Sequence, residues 1–160
     1  MRLLAVFALV AAIVAVPAFA APPPAKVLIR STAVGDVLVD TRGRTLYLRT
    51  IDGSRKSTCY GSCAAAWPPF ITSGPPRAGS GAKQALLGTA KRKDGTLQVT
   101  YAGHPLYFFG QDTKAGQMSG QAAAGTWWAV GASGKKITKT STPPATTTGG
   151  GYGGYGGYGP

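Results

Sequence analysis

Six side chains in this sequence have the type and placement for chemistry: Cys59, Cys63, Asp52, Asp112, His104 and Met118. Asp52 and Asp112 each follow a tyrosine by five residues, and paired carboxylates can divide acid and base roles in glycoside hydrolysis. That chemistry would make a wall-directed hydrolase. An aspartate opening a loop also accepts backbone N–H groups and fixes the turn, and its recurrence at one spacing after a tyrosine suits a structural clamp better. Cys59 and Cys63 are the only cysteines. As thiolates they could hold Cu(I) with Met118 or His104 as a soft third ligand. Zinc fits less well, because His104 and the cysteines make three obvious ligands where a structural site wants four. C-x3-C is also not the spacing typical of redox pairs. The remaining reading is a disulfide. Extended, the segment would hold the two Cα atoms ~13 Å apart, whereas a bridge needs about 4.4–6.8 Å. The chain must therefore turn at Gly61, and so short a ring adds about 2 kcal/mol at most. His104 has no nucleophile and acid at triad spacing. No glycine pattern stands in a phosphate-cradling strand–helix context, so no cofactor is predicted and no catalytic residue is assigned.

The elements that position these residues are repeated. Residues 35–67 return at 95–127, aligned without a gap at an offset of sixty. Gly35/Gly95, Val39/Val99, Gly43/Gly103, Leu46/Leu106, Tyr47/Tyr107, Asp52/Asp112, Ala64/Ala124 and Trp67/Trp127 are identical. Self-similarity at a fixed period signals copies of one supersecondary unit. In each copy, β-rich runs flank a turn glycine: Val37–Asp40 and Thr45–Leu48 around Gly43, and Thr96–Tyr101 and Pro105–Phe109 around Gly103. Pro105 cannot donate to a ladder and should start or edge its strand. Each copy thus reads as a three-strand antiparallel meander, an irregular loop and a tryptophan. The fold expected is all-β, two meanders related by pseudo-twofold symmetry in a small sandwich or barrel-like domain. Repeat 1 spans 26–71, a linker 72–84 and repeat 2 85–131. The tyrosines and tryptophans are expected as packing residues, each ring burying about 150–250 Å².

The ends of the chain differ from this domain. Arg2, a wholly apolar 3–16 and Ala18-Phe19-Ala20 make a secretory signal peptide, cut after Ala20. The apolar stretch is shorter than the ~20 residues that span a bilayer. Residues 21–25 form a proline-rich leader. From 132 onward a Thr/Pro-rich stretch and a Gly/Tyr-rich end bury too little to pack, so 132–160 is expected to be a disordered tail. The chain carries a formal net charge of +12 and has no glutamate. That balance favours an anionic cell-wall polymer or lipid surface as partner, and nucleic acid is not expected for an exported chain without a nucleic-acid motif.

Tyr47-x4-Asp52 and Tyr107-x4-Asp112, each after a glycine and a leucine, resemble the Y-x4-D signature of a family of bacterial secreted tandem repeats, many of them lipoproteins. Cys59-Tyr60-Gly61-Ser62-Cys63-Ala64-Ala65-Ala66-Trp67-Pro68-Pro69 is similar to that family's C-x-G-x-C-A-x-x-W-P-P segment. Gly116-Gln117 through Trp127 resembles its glycine-rich run before tryptophan. The family has no established activity, so the resemblance implies an exported address and an architecture. No lipobox cysteine stands here, which implies a secreted or periplasmic form without a lipid anchor. The functional expectation is a non-catalytic envelope or surface module that binds anionic or wall polymers. The alternatives are a redox or copper-handling protein at Cys59/Cys63 and a hydrolase at Asp52/Asp112.

Overall fold

The computed structural model describes residues 23–139. The expected signal peptide, the first leader residues and everything after Lys139, including the Gly/Tyr-rich end, lie outside the described residues. Nine strands and one short helix follow in chain order: β1 (Lys26–Thr32), β2 (Gly35–Val39), β3 (Tyr47–Arg49), α1 (Ser62–Ala66), β4 (Ile71–Thr72), β5 (Arg77–Ala78), β6 (Leu87–Lys91), β7 (Leu97–Tyr101), β8 (His104–Pro105) and β9 (Trp127–Ala129). The chain is all-β, as expected. Its strands form three separate sheets, β2-β1-β5, β3-β9 and β4-β7-β6, with β8 beside β7, so the barrel-like alternative does not apply.

The two hairpins turn differently. Between β7 and β8, Ala102 and Gly103 have φ of 48° and 83°, with Tyr101 paired to His104. Two consecutive left-handed residues make the two-residue turn whose twist matches its strands. In the first copy three residues, Thr41-Arg42-Gly43, make the loop. Gly43 is left-handed at φ 76°, and Asp40 Oδ1 accepts the amides of Arg42 and Arg44, both at 2.9 Å. The extra residue shifts the register. Leu46 N–H donates to Leu38 and Leu106 N–H donates to Val99, both at 2.9 Å, although these partners lie eight and seven residues apart. The gap-free alignment therefore holds only after the turn. Before it, Leu38 rather than Val39 is the counterpart of Val99.

Each copy is completed by the other. Tyr47 and Tyr107 exchange both backbone hydrogen bonds at 2.9 Å, so the pseudo-twofold axis runs between them. Tyr47 pairs on its other side with Ala129 and Tyr107 with Pro69. Thr50 N–H donates to Thr126 at 2.8 Å and Gly110 N–H to Ala66 at 2.9 Å. Leu38 N–H donates to Val130 and Val99 N–H to Phe70, both at 2.8 Å. The segment that closes each repeat thus bonds the meander of its twin.

Alternation puts two cores on the two faces of this central array. Leu46, Leu48, Phe70, Leu106 and Val130 join Val27, Leu38, Val99 and Tyr101 in an aliphatic core. Tyr47, Tyr107, Trp67, Trp127, Cys59 and Ala129 form an aromatic core on the opposite side. There Trp67 and Trp127 stack on each other across the axis, with ring centroids 3.9 Å apart and planes 2° from parallel. Each tryptophan meets its own repeat's tyrosine edge-on, Tyr47 at 5.4 Å and Tyr107 at 5.1 Å.

Two stretches read as irregular are tied down. Within the expected linker, β5 pairs in parallel with β1, Lys26 opposite Arg77. Past residue 131 the chain folds back, pairing Val130 with Lys136, and Gln121 Nε2 donates to the carbonyls of Ile137 at 2.7 Å and Lys139 at 3.0 Å. The packed chain therefore takes in the first eight residues of the expected tail, because Ile137 packs against the aromatic core.

This interlock predicts that neither half folds alone. Fragments 23–72 and 73–139, made separately, should lack near-ultraviolet circular dichroism from ordered tryptophan and should regain it when mixed. Cooperative unfolding of either fragment by itself would contradict the arrangement.

Candidate functional site

The Y-x4-D motif works between copies. Tyr47 O–H donates to Asp112 Oδ2 at 2.6 Å, and Tyr107 O–H donates to Asp52 Oδ2. The free oxygen of each carboxylate fixes its own loop. Asp52 Oδ1 accepts the Thr58 amide at 2.9 Å and the Thr58 hydroxyl at 2.5 Å, and Asp112 Oδ1 accepts the Ser119 amide at 3.0 Å. Both tyrosines have no solvent exposure. Burial, and then the hydrogen bond and negative charge of Asp112, push the Tyr47 hydroxyl far above the ordinary phenol range; burial and the bond to Asp52 do the same for Tyr107. These hydroxyls stay protonated and donating. Each aspartate so placed has its oxygens occupied by a tyrosine and a loop amide, which is the geometry of a clamp. A hydrolase would need one carboxyl free toward substrate.

The two loops lie over separate clefts. Residues of 49–63 meet Lys91, Arg92 and Lys93 around an opening of about 270 Å³. Residues of 109–123 meet Thr32, Ala33 and Val34 around one of about 410 Å³. In the first loop Cys59 and Cys63 are joined by a disulfide with Cα atoms 5.3 Å apart. Gly61, at φ 56°, lets the chain reverse into α1, whose first turn carries Cys63. A bridged pair offers no thiolates, so the copper reading loses its two principal ligands while the bond is intact. Met118 packs at the edge of the aromatic core. His104 lines a groove with Leu48, Thr50, Lys135, Lys136 and Thr138, none of them a cysteine. Among the described residues no three His, Cys, Asp or Glu side chains gather as a metal site would require.

Arg92 is the buried centre of the first cleft and was not singled out by the charge run around it. It is 5% exposed. Nη1 donates to Ser57 Oγ at 3.0 Å and Gln98 Oε1 at 2.7 Å, and Nη2 donates to the Cys59 carbonyl at 2.9 Å. A buried charge persists where hydrogen bonds replace its hydration. The Tyr60 ring lies 4.4 Å from its guanidinium carbon and 5.0 Å from Lys93 Nζ. The readable signal was strand alternation: Lys91 and Lys93 point out, so the residue between them points in.

The clamp makes stability pH-dependent. Above about pH 10 an unfolded tyrosine loses its proton, whereas Tyr47 and Tyr107 keep theirs. The unfolded state then binds fewer protons, and stability falls by about 1.4 kcal/mol per pH unit for each tyrosine. Equilibrium denaturation across the alkaline range should show this slope. Tyr47→Phe or Tyr107→Phe should each flatten it by one tyrosine's worth. An alkaline slope unchanged in both variants would count against buried, donating hydroxyls.

Comparison with known proteins agrees with this paired architecture. A family model for Lipoprotein_15, described as a secreted repeat of unknown function, matches twice, over residues 28–70 and 88–131. Comparison with curated proteins and with solved structures gives no match. The two matched segments are the two interlocked repeats and together cover more than half of the chain, so the protein belongs to this family of secreted repeats.

Proposed function

We propose that this protein is an exported, non-catalytic module that holds anionic polymer or an anionic surface of the cell envelope. The observation behind this reading is how its acids are used. All five aspartates lie among the described residues and each accepts an internal hydrogen bond. Asp36 takes Ser31 Oγ at 2.6 Å. Asp40 takes the Arg42 and Arg44 amides, with Arg44 Nη2 at 2.8 Å. Asp94 takes Thr96 Oγ1 at 2.6 Å, and Asp52 and Asp112 take the tyrosines. Only two ion pairs form among the described residues, Arg44–Asp40 and Arg92–Asp94, the second at 4.0 Å.

The other described lysines and arginines are exposed, apart from Arg49, which lies half-buried over the Trp127 ring and donates to Thr58. Lys136 Nζ lies 4.9 Å from the Trp128 ring. Uncompensated positive charge attracts polyanions and raises their local concentration. Secreted placement, signal cleavage after Ala20 and the Gly/Tyr-rich end fit a protein that works at the envelope.

Purified mature protein should be retained by anionic cell-wall polymer and by vesicles containing anionic lipid, and released as salt rises, since exposed charges act over about 8–10 Å at physiological salt. Retention on neither material at low salt would overturn the reading.

A further inference from the structure

The two clefts beside the loops are the same place in the two repeats. After the turn the sixty-residue offset matches Lys56, Ser57 and Tyr60 to Gly116, Gln117 and Gly120, and before it the pairing of β1 with β2 and of β6 with β7 matches Lys91, Arg92 and Lys93 to Ser31, Thr32 and Ala33. The first cleft is lined by Lys56, Ser57, Tyr60, Lys91, Arg92 and Lys93. The second is lined by Thr32, Ala33, Val34 and Gly116 to Ser119, without a charged residue. Both lie beside equivalent tyrosine–aspartate clamps. The fold therefore has no need of the three lysines, because the equivalent positions Gly116, Ser31 and Ala33 are uncharged, with the Arg30 guanidinium reaching only the edge at Gly116. Placing three lysines around one guanidinium raises the local energy through like-charge repulsion, and an anion would relieve it.

We infer that the cleft between the disulfide loop of repeat 1 and the end of β6 in repeat 2 is a seat for a phosphate-bearing polyanion strand; this rests on the polyanion reading above and locates it. Lys56, Lys91 and Lys93 are exposed and supply the direct contacts. Arg92 adds its charge from behind, with three of its five N–H donors spent on Ser57, Gln98 and Cys59. The exposed contacts are thus ammonium groups, which hold phosphate as point charges. Tyr60 is half-buried between Arg92 and Lys93 and walls one side. The disulfide carries the wall, since Tyr60 lies within the Cys59–Cys63 ring and the Cys59 carbonyl holds Arg92.

The test uses the mature full-length chain and medium-chain inorganic polyphosphate as probe, with polyglutamate of matched charge beside it. Variant K56A/K91A/K93A is compared with a charge-matched control, K83A/K114A/K139A. The cleft variant should lose at least tenfold in polyphosphate affinity, and its log–log salt dependence should flatten by about 2, near 0.7 per lost phosphate contact for a single strand. The control should keep most of the affinity, and polyphosphate should bind wild type more tightly than polyglutamate. Inorganic phosphate should compete, and only at much higher concentration than the polymer.

Equal losses in the two triple variants would refute the seat while leaving the polyanion reading intact. Equal affinity for polyglutamate would refute the phosphate assignment. Absence of binding by wild type to polyphosphate, wall polymer and anionic vesicles alike would remove the broader reading itself. Unchanged near-ultraviolet circular dichroism in both triple variants keeps misfolding from imitating a loss.

Discussion

A single antiparallel rung joins Tyr47 to Tyr107, and each of those tyrosines sends its hydroxyl to the aspartate of the opposite repeat. Everything else in the domain is arranged around that exchange. A tyrosine buried this deeply must find an acceptor for its proton, because an unsatisfied polar group in a core costs about 1–3 kcal/mol. Its own repeat's aspartate does not take the proton, so each half carries a donor that only the other can satisfy. The stacked Trp67 and Trp127, and the segments ending at Phe70 and Val130 that bond across the axis, repeat the same logic in apolar and backbone terms. Duplication here produces one cooperative body with shared cores, in place of two modules on a string.

The clamp also explains how the two copies were free to diverge. Positions that the clamp and cores require are identical in both: Gly43 and Gly103 at the turns, the tyrosines, the aspartates and the tryptophans. Positions at the mouths of the loops are not held by them. The loop of repeat 1 carries a disulfide, Tyr60 and Lys56 and faces Lys91, Arg92 and Lys93 from the other repeat, while the loop of repeat 2 carries glycines, Gln117 and Ser119. Because the carboxylates are consumed by clamps and turns, cations added at the mouth meet little compensating charge.

Much of the architecture was legible in the sequence, and the reasons for the remainder are specific. Turn glycines, alternating strands and aromatic anchors are local signals, so the two meanders and their period could be read directly. The partner of Asp52 could not. Spacing after Tyr47 suggests a local relation, and only the three-dimensional pseudo-symmetry reveals that the acceptor belongs to Tyr107. The one-residue difference between the loops after Asp40 and after Tyr101 was hidden because the glycines align on one offset and the preceding strands on another. Arg92 belongs to no motif and so drew no notice, although it is buried between two exposed lysines. The ordered stretch to Lys139 was missed because its composition resembles a tail, while its hold comes from the distant Gln121.

The Y-x4-D motif acts between repeats, and a double-mutant cycle measures that crossing. Tyr47→Phe and Asp112→Asn, singly and together, should couple by about 1.5–3 kcal/mol in equilibrium unfolding, as a charged hydrogen-bonded pair does. The pair within one motif, Tyr47→Phe with Asp52→Asn, should be close to additive. A within-motif coupling equal to or larger than the crossed one would mean that each tyrosine depends on its own repeat's aspartate.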